Sequence, residues 1–160
     1  KALGADFAIT SSSNEKLTRA KQMGADYVIN YRDRPDWAAA LLEQTAGRGA
    51  DVVVDTLGFP ALGETVTATA VNGRIGTLGA LSGTPQATAS ASQGAMIGKN
   101  ITIKGLASGS RAMTAAAVAI VAEHGIDNPV DKEFSFVDAP DAFHHLESGS
   151  LFGKILIRMD

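Results

Sequence analysis

Two stretches of this chain nearly repeat each other. Lys1-Ala2-Leu3-Gly4-Ala5-Asp6-Phe7-Ala8-Ile9 is echoed by Lys21-Gln22-Met23-Gly24-Ala25-Asp26-Tyr27-Val28-Ile29. Each copy sets a glycine where a helix would close in the left-handed conformation, then adds a short apolar strand. A spacing of about twenty residues holds one helix and one strand, so the echo is one turn of a βα repeat. It stops after two copies, which argues against a solenoid. On this pattern residues 1–4 are the tail of a helix whose body lies before Lys1, and the chain is expected to be a fragment or a processed product.

The same alternation continues. Ser13 or Asn14 caps a helix running to about Met23, with Leu17 and Ala20 inward. Strand Tyr27–Asn30 follows, then a helix from Asp36 to Thr45 with Trp37, Ala40 and Leu41 at core spacing. Asp51-Val52-Val53-Val54-Asp55 is the plainest strand, and its β-branched run predicts burial on both faces, as in a parallel sheet. A helix over Ala61 to Ala70 leads through Asn72-Gly73 to strand Arg74–Leu78. Ser82 to Ser92 reads as a mobile loop. Strand Asn100–Lys104 alternates isoleucine with polar residues, which suits a sheet edge. A helix over Arg111 to Glu123 closes at His124-Gly125; strand Asp131 to Val137, helix Ala139 to Leu146 and strand Lys154–Arg158 complete the chain. Strands alternating with helices predict an α/β domain with a doubly wound parallel sheet.

Composition narrows the function. With 160 residues and 45% hydrophobic content the chain can bury a core. A net charge of −3 argues against a nucleic-acid or membrane partner, since either would call for a basic face. No run is long enough for a membrane span. There is no cysteine, which removes disulfides and thiolate metal sites and fits a cytoplasmic location.

Ligands of such sheets bind outside the carboxyl ends of the strands. The first end offers Thr10-Ser11-Ser12-Ser13, with Lys16 one helical turn later. An NAD site places Asp or Glu here to hold both ribose hydroxyls. Small hydroxyls, helix N–H groups and a lysine suit a phosphate dianion instead; a plain serine cap with a solvated lysine is the structural alternative. Tyr31 and Arg32 follow the next strand, where an aromatic serves packing as readily as adenosine. Thr56-Leu57-Gly58 and Leu78-Gly79-Ala80 put small residues where a flat ring could approach the backbone. Asp55 is an acid–base candidate or a turn cap, and His124 suits a helix C-terminus. His144 and His145 are adjacent, without metal-pair spacing. No nucleophile–base set and no metal site are legible. Gly73, Gly76 and Gly79 lie along a strand and do not form the strand–turn–helix dinucleotide fingerprint.

Five stretches in order, TSSSNEKLTRAKQMGADYVINYR, GADVVVDTLG, NGRIGTLGALSG, ITIKGLASGSR and ESGSLFGKILI, cover nearly the whole chain. Together they resemble the cofactor-binding domain of medium-chain dehydrogenases/reductases, the zinc-type alcohol dehydrogenase and quinone oxidoreductase group. The resemblance implies one Rossmann-type NAD(P)-binding domain over residues 1–160. It implies that Ser11, Ser12 and Lys16, with Tyr31, meet the 2′-phosphate of NADP, NAD being less favoured. Leu57 and Gly58 would lie along the ribose, while Leu78, Gly79, Ala80, Leu106, Ala107 and Ser108 line the nicotinamide side. Lys154 would come near the cofactor. It further implies a homodimer through the Asn100–Lys104 strand.

Against the family pattern, the first strand, its glycine-rich loop and the catalytic domain with any zinc ligands are not found in this sequence. In strand order 3-2-1-4-5-6 the absent strand is the central one. The strands at Phe7–Thr10 and Val52–Asp55 should then either meet or keep unpaired inner edges, at roughly 1–3 kcal/mol for each buried unpaired group. The function expected is the cofactor half of an NADP-preferring alcohol dehydrogenase or quinone/enone reductase acting on a small molecule, with no catalytic proton donor among these residues. The alternative is a non-catalytic dinucleotide-binding or dimerisation module. A phosphoacceptor domain built on Asp55 is disfavoured, because the acidic cluster such sites use for a metal is missing.

Overall fold

A computed structural model describes residues 1–79 and 92–159. They form an α/β fold of parallel strands: β1 (Ala8–Ser11), α1 (Asn14–Gln22), β2 (Tyr27–Asn30), α2 (Trp37–Gln44), β3 (Ala50–Asp55), a 3-10 turn (Phe59–Ala61), α3 (Leu62–Ala68), β4 (Thr69–Thr77), α4 (Gln93–Gly98), β5 (Thr102–Gly105), α5 (Arg111–Glu123), β6 (Val130–Ser135), α6 (Ala139–Glu147) and β7 (Lys154–Arg158). Two compact units result, one spanning Leu3–Ser108 and the other beginning at Gly109. Ala80 and most of the expected loop, Ser82 to Ala91, lie outside the described residues.

In the first unit β1 pairs with β2, and β3-β4-β5 form a second parallel group. Of the two outcomes expected for the inner strands, the described residues show unpaired edges: β1 and β3 do not pair with each other. What joins the two groups is packing rather than a ladder. Ile29 of β2, Ala38, Ala40 and Leu41 of α2 and Ala68 of α3 form the buried cluster, with Ala8, Tyr27, Trp37 and Ala50 against it. Asp36 stands at the N-cap of helix α2, but its side chain makes no capping bond; Glu64 of α3 accepts the Ala38 N–H at 3.2 Å instead. A carboxylate from a neighbouring helix thus satisfies one orphan donor and suits the positive end of α2.

The echo is borne out at its glycines and its strands. Gly4 and Gly24 take φ of 76° and 99°, and each precedes a strand of the β1–β2 pair. Residues 1–4 form a turn closed by Gly4 N–H to the Lys1 carbonyl at 2.7 Å. Asp26 ties the two copies together, pairing with the Lys1 ammonium and accepting the Phe7 N–H at 2.8 Å. Those two bonds hold its carboxyl below the usual range.

Two other expectations are corrected. The helix read as Ala61 to Ala70 ends at Ala68, and β4 begins at Thr69, well before Arg74. The helix end is held by Lys99, whose ammonium donates to the carbonyls of Val66, Thr67 and Thr69. Asn72, at φ 60°, forms the expected turn as an irregularity within the strand. Strand β3 is not buried on both faces. Val52 and Val54 are 66% and 63% exposed, while Ile75 on β4 is 1% exposed. By register Val52 and Val54 share a face with Arg74 and Gly76, and Val53 shares the opposite, covered face with Ile75. Helix α3 packs on this group, and no described element of the unit covers the face of Val52 and Val54. As expected, β5 stands at an edge of its group, with all four residues exposed.

In the second unit β6 and β7 pair in parallel, with α6 packed on both. Asp131 links strand, helix and loop: it meets His145 Nε2 at 2.7 Å and accepts the Phe152 N–H at 2.9 Å.

Candidate functional site

Two groups of strand ends in the first unit carry the candidate residues. The ends of β1 and β2 lie side by side, because Tyr31 N–H donates to the Ser11 carbonyl at 3.1 Å, one step beyond the Ser11–Asn30 register pair. Ser13 caps α1, its hydroxyl accepting the Lys16 N–H at 3.3 Å, and Ser11 Oγ accepts the Ser13 N–H at 3.2 Å. Two of the three serines therefore build the turn itself. The Ser12 hydroxyl and the Arg32 guanidinium have no protein partner among the described residues. Lys16 and Ser12 are half-buried, and Tyr31 is exposed. No carboxylate occupies the turn after β1. A groove of about 510 Å³ runs between α1 and β2, with Asn14 and Asn30 among its lining residues.

The second group is formed by β3, β4 and β5, whose register aligns Asp55, Thr77 and Gly105 in one row. Just beyond that row stand Leu57, Leu78 and Leu106, at 54%, 49% and 43% exposure. Three large apolar side chains held in solvent at adjacent carboxyl ends make an apolar lip, a feature that usually marks a contact surface. Beneath them the backbones touch. Gly58 has φ 77° and ψ −150°, and a Cβ there would lie 2.4 Å from the Gly79 carbonyl oxygen. A Cβ on Gly79 would lie 2.4 Å from the Thr56 carbonyl oxygen. Leu78 N–H donates to the Asp55 carbonyl and Leu106 N–H to that of Thr77, at 3.0 and 2.8 Å. Asp55 takes the turn-capping role of its two readings: buried to 5% exposure, its Oδ1 accepts the N–H of both Leu57 and Gly58 at 2.9 Å.

The structure thus brings Ser11, Ser12, Lys16 and Tyr31 to one pair of strand ends. It brings Leu57, Gly58, Leu78, Gly79 and Leu106 to another, with the exposed Ala107 and Ser108 following Leu106. Ala80 is outside the described residues, and Lys154 opens β7 in the second unit. His124 ends α5, His144 stands 3.9 Å from Asp141, and among the described residues no cluster of three metal-type ligands occurs. Nor is any described helix long and apolar enough to cross a membrane. Sequence reasoning missed the Asp131–His145 pair and the bond from Asn30 Nδ2 to Asn14 Oδ1, since both depend on partners fourteen or more residues away.

Residues 1–123 match the family of zinc-binding dehydrogenases. Across 99% of its length the chain is 33% identical to a zinc-type alcohol dehydrogenase-like protein of Schizosaccharomyces pombe, of which it covers 46%. Among solved structures, an NAD-dependent alcohol dehydrogenase matches with a TM-score of 0.86 at 31% identity, over 98% of this chain and 45% of that one. A quinone oxidoreductase of Pseudomonas syringae pv. Tomato DC3000 matches with a TM-score of 0.78 at 25% identity, over 98% and 50%. The chain therefore spans about half the length of these relatives.

Proposed function

Because the chain belongs to the zinc-binding dehydrogenase family, we propose that it binds the nicotinamide cofactor of an oxidoreductase and prefers NADP to NAD. One observation carries the preference. The turn after β1 presents serines and Lys16 instead of an acid, and the Tyr31–Arg32 turn is hydrogen-bonded alongside it. A carboxylate would hold the two ribose hydroxyls of NAD; hydroxyls, a helix N-terminus and a cation suit the extra phosphate of NADP.

The donor set fits that group. Ser12, Lys16 and Tyr31 would hold the adenosine phosphate, with Ser11 shaping the turn. Leu57 and Gly58 would follow the ribose. Leu78, Gly79, Leu106, Ala107 and Ser108 would border the nicotinamide, the three leucines excluding water from one side of the ring. When bound, the nicotinamide supplies hydride transfer to or from an alcohol or carbonyl carbon. The residues of this chain bind and orient it, and the proposal gives none of them a proton-transfer role. Lys154 would also come near the cofactor. A cytoplasmic enzyme acting on a small molecule as a homodimer is part of the same reading, with the exposed edge of β5 offered to a second copy. Sedimentation as a monomer at micromolar concentration would remove the dimer.

Calorimetric titration with NADPH and NADH tests the preference. Lys16→Ala should weaken NADPH binding by about tenfold or more, the scale of one charge-assisted hydrogen bond, with a much smaller loss for NADH. Equal losses for the two cofactors would reject a phosphate role for Lys16.

A further inference from the structure

Asn30, the last residue of β2, is bonded on every side. Its Oδ1 accepts the Arg32 N–H at 2.9 Å, and its carbonyl accepts the Arg34 N–H at 2.9 Å. Its Nδ2 donates to Oδ1 of Asn14, the first residue of α1, at 2.8 Å. The backbone donor at Arg32 fixes which end of the amide is oxygen, so the nitrogen must face Asn14. An aspartate there would keep the Arg32 bond but could meet Asn14 only with the Asn14 amide turned round, whereas alanine removes both contacts.

The two ends of that bridge sit in the two halves of the proposed phosphate site. Asn14 belongs to the helix that carries Lys16, and Arg32 belongs to the turn that carries Tyr31. Alongside the Tyr31-to-Ser11 backbone bond, this amide pair ties those halves at the strand ends. We infer that Asn30 is a positioning residue for cofactor selectivity: it sets the spacing between the Lys16 helix and the Tyr31–Arg32 turn through Asn14. The inference rests on the NADP preference proposed above. Asn30 acts at the adenosine phosphate, so its loss spares what NADPH and NADH share.

Two alanine variants of the protein test this by calorimetry with NADPH and NADH. Asn30→Ala removes both side-chain bonds and should weaken NADPH binding about tenfold, with NADH changed less than about twofold. Asn14→Ala cuts only the bridge, at an exposed helix position that does not endanger folding. It should weaken NADPH binding about three- to fivefold and NADH hardly at all. The double variant should bind NADPH no worse than Asn30→Ala alone, because both changes remove one connection. A merely structural role would lower thermal stability, or raise both dissociation constants together, and leave their ratio unmoved. A parent protein that prefers NADPH alongside an unchanged ratio in Asn14→Ala overturns the inference alone. A parent that binds both cofactors equally overturns the NADP reading and this inference with it.

Discussion

Gly58→Ala should destabilise the first unit by about 3 kcal/mol or more, since two costs coincide at one position. The backbone there, φ 77° with ψ −150°, is a region that essentially only glycine enters. The added methyl would also lie 2.4 Å from the Gly79 carbonyl oxygen, a backbone atom that cannot rotate away. Gly79→Ala should be similarly damaging without the torsional cost, because its Cβ would meet Thr56 O, Thr56 C and Leu57 C at 2.4, 2.5 and 2.6 Å. The two changes press on the same contact between the β3 and β4 ends, so the double variant should cost less than their sum. Gly105→Ala is the control: nothing lies within 4 Å of its Cβ, and a change within about 0.5 kcal/mol is expected. Urea unfolding of the parent and these four variants measures this. A loss below about 1 kcal/mol for Gly58→Ala would mean that the two strand ends are not packed backbone to backbone.

This contact also shows what a sequence conveys and what it does not. Thr56-Leu57-Gly58 and Leu78-Gly79 could be recognised as strand ends with small residues, and the alternation of elements was legible because helix and strand periods are local. That the glycines approach each other depends on the β3–β4 register, which no local pattern encodes. The triple-valine run misled on burial for a related reason. β-branched residues report strand propensity, whereas covering a face requires a helix from elsewhere in the chain, and the face of Val52 and Val54 has none among the described residues of its unit. The sequence pattern carries helix α3 two residues past its end, because Ala68, Thr69 and Ala70 do not stop a helix themselves. Lys99, about thirty residues later, closes it. Asn30 falls in the same class. Its place at a strand end was visible, but its value lies in Asn14, sixteen residues earlier.

Asp55→Ala is the second change with a large expected effect, and comparison with Asp55→Asn separates its causes. Asp55 Oδ1 is the acceptor for two N–H groups, those of Leu57 and Gly58. Alanine would orphan both in a site where the carboxyl is 5% exposed, at about 1–3 kcal/mol for each buried donor, so roughly 3 kcal/mol in all. Asparagine keeps an Oδ1 acceptor in place. The other carboxyl oxygen, Oδ2, is buried with no hydrogen-bond partner among the described residues, so converting that end to an amide removes no contact seen there. Asp55→Asn keeps the two bonds to Oδ1 and buries an amide N–H2 only at the Oδ2 end, so it should cost about half of what Asp55→Ala costs. The same pair should separate in cofactor binding: freeing the Leu57 and Gly58 amides lets the apolar lip move, while asparagine holds it. Urea unfolding and cofactor titration of both variants read the two effects. If Asp55→Asn proves as costly as Asp55→Ala, the two amide bonds to Oδ1 are not what sets the cost, and the buried Oδ2 position excludes an N–H donor.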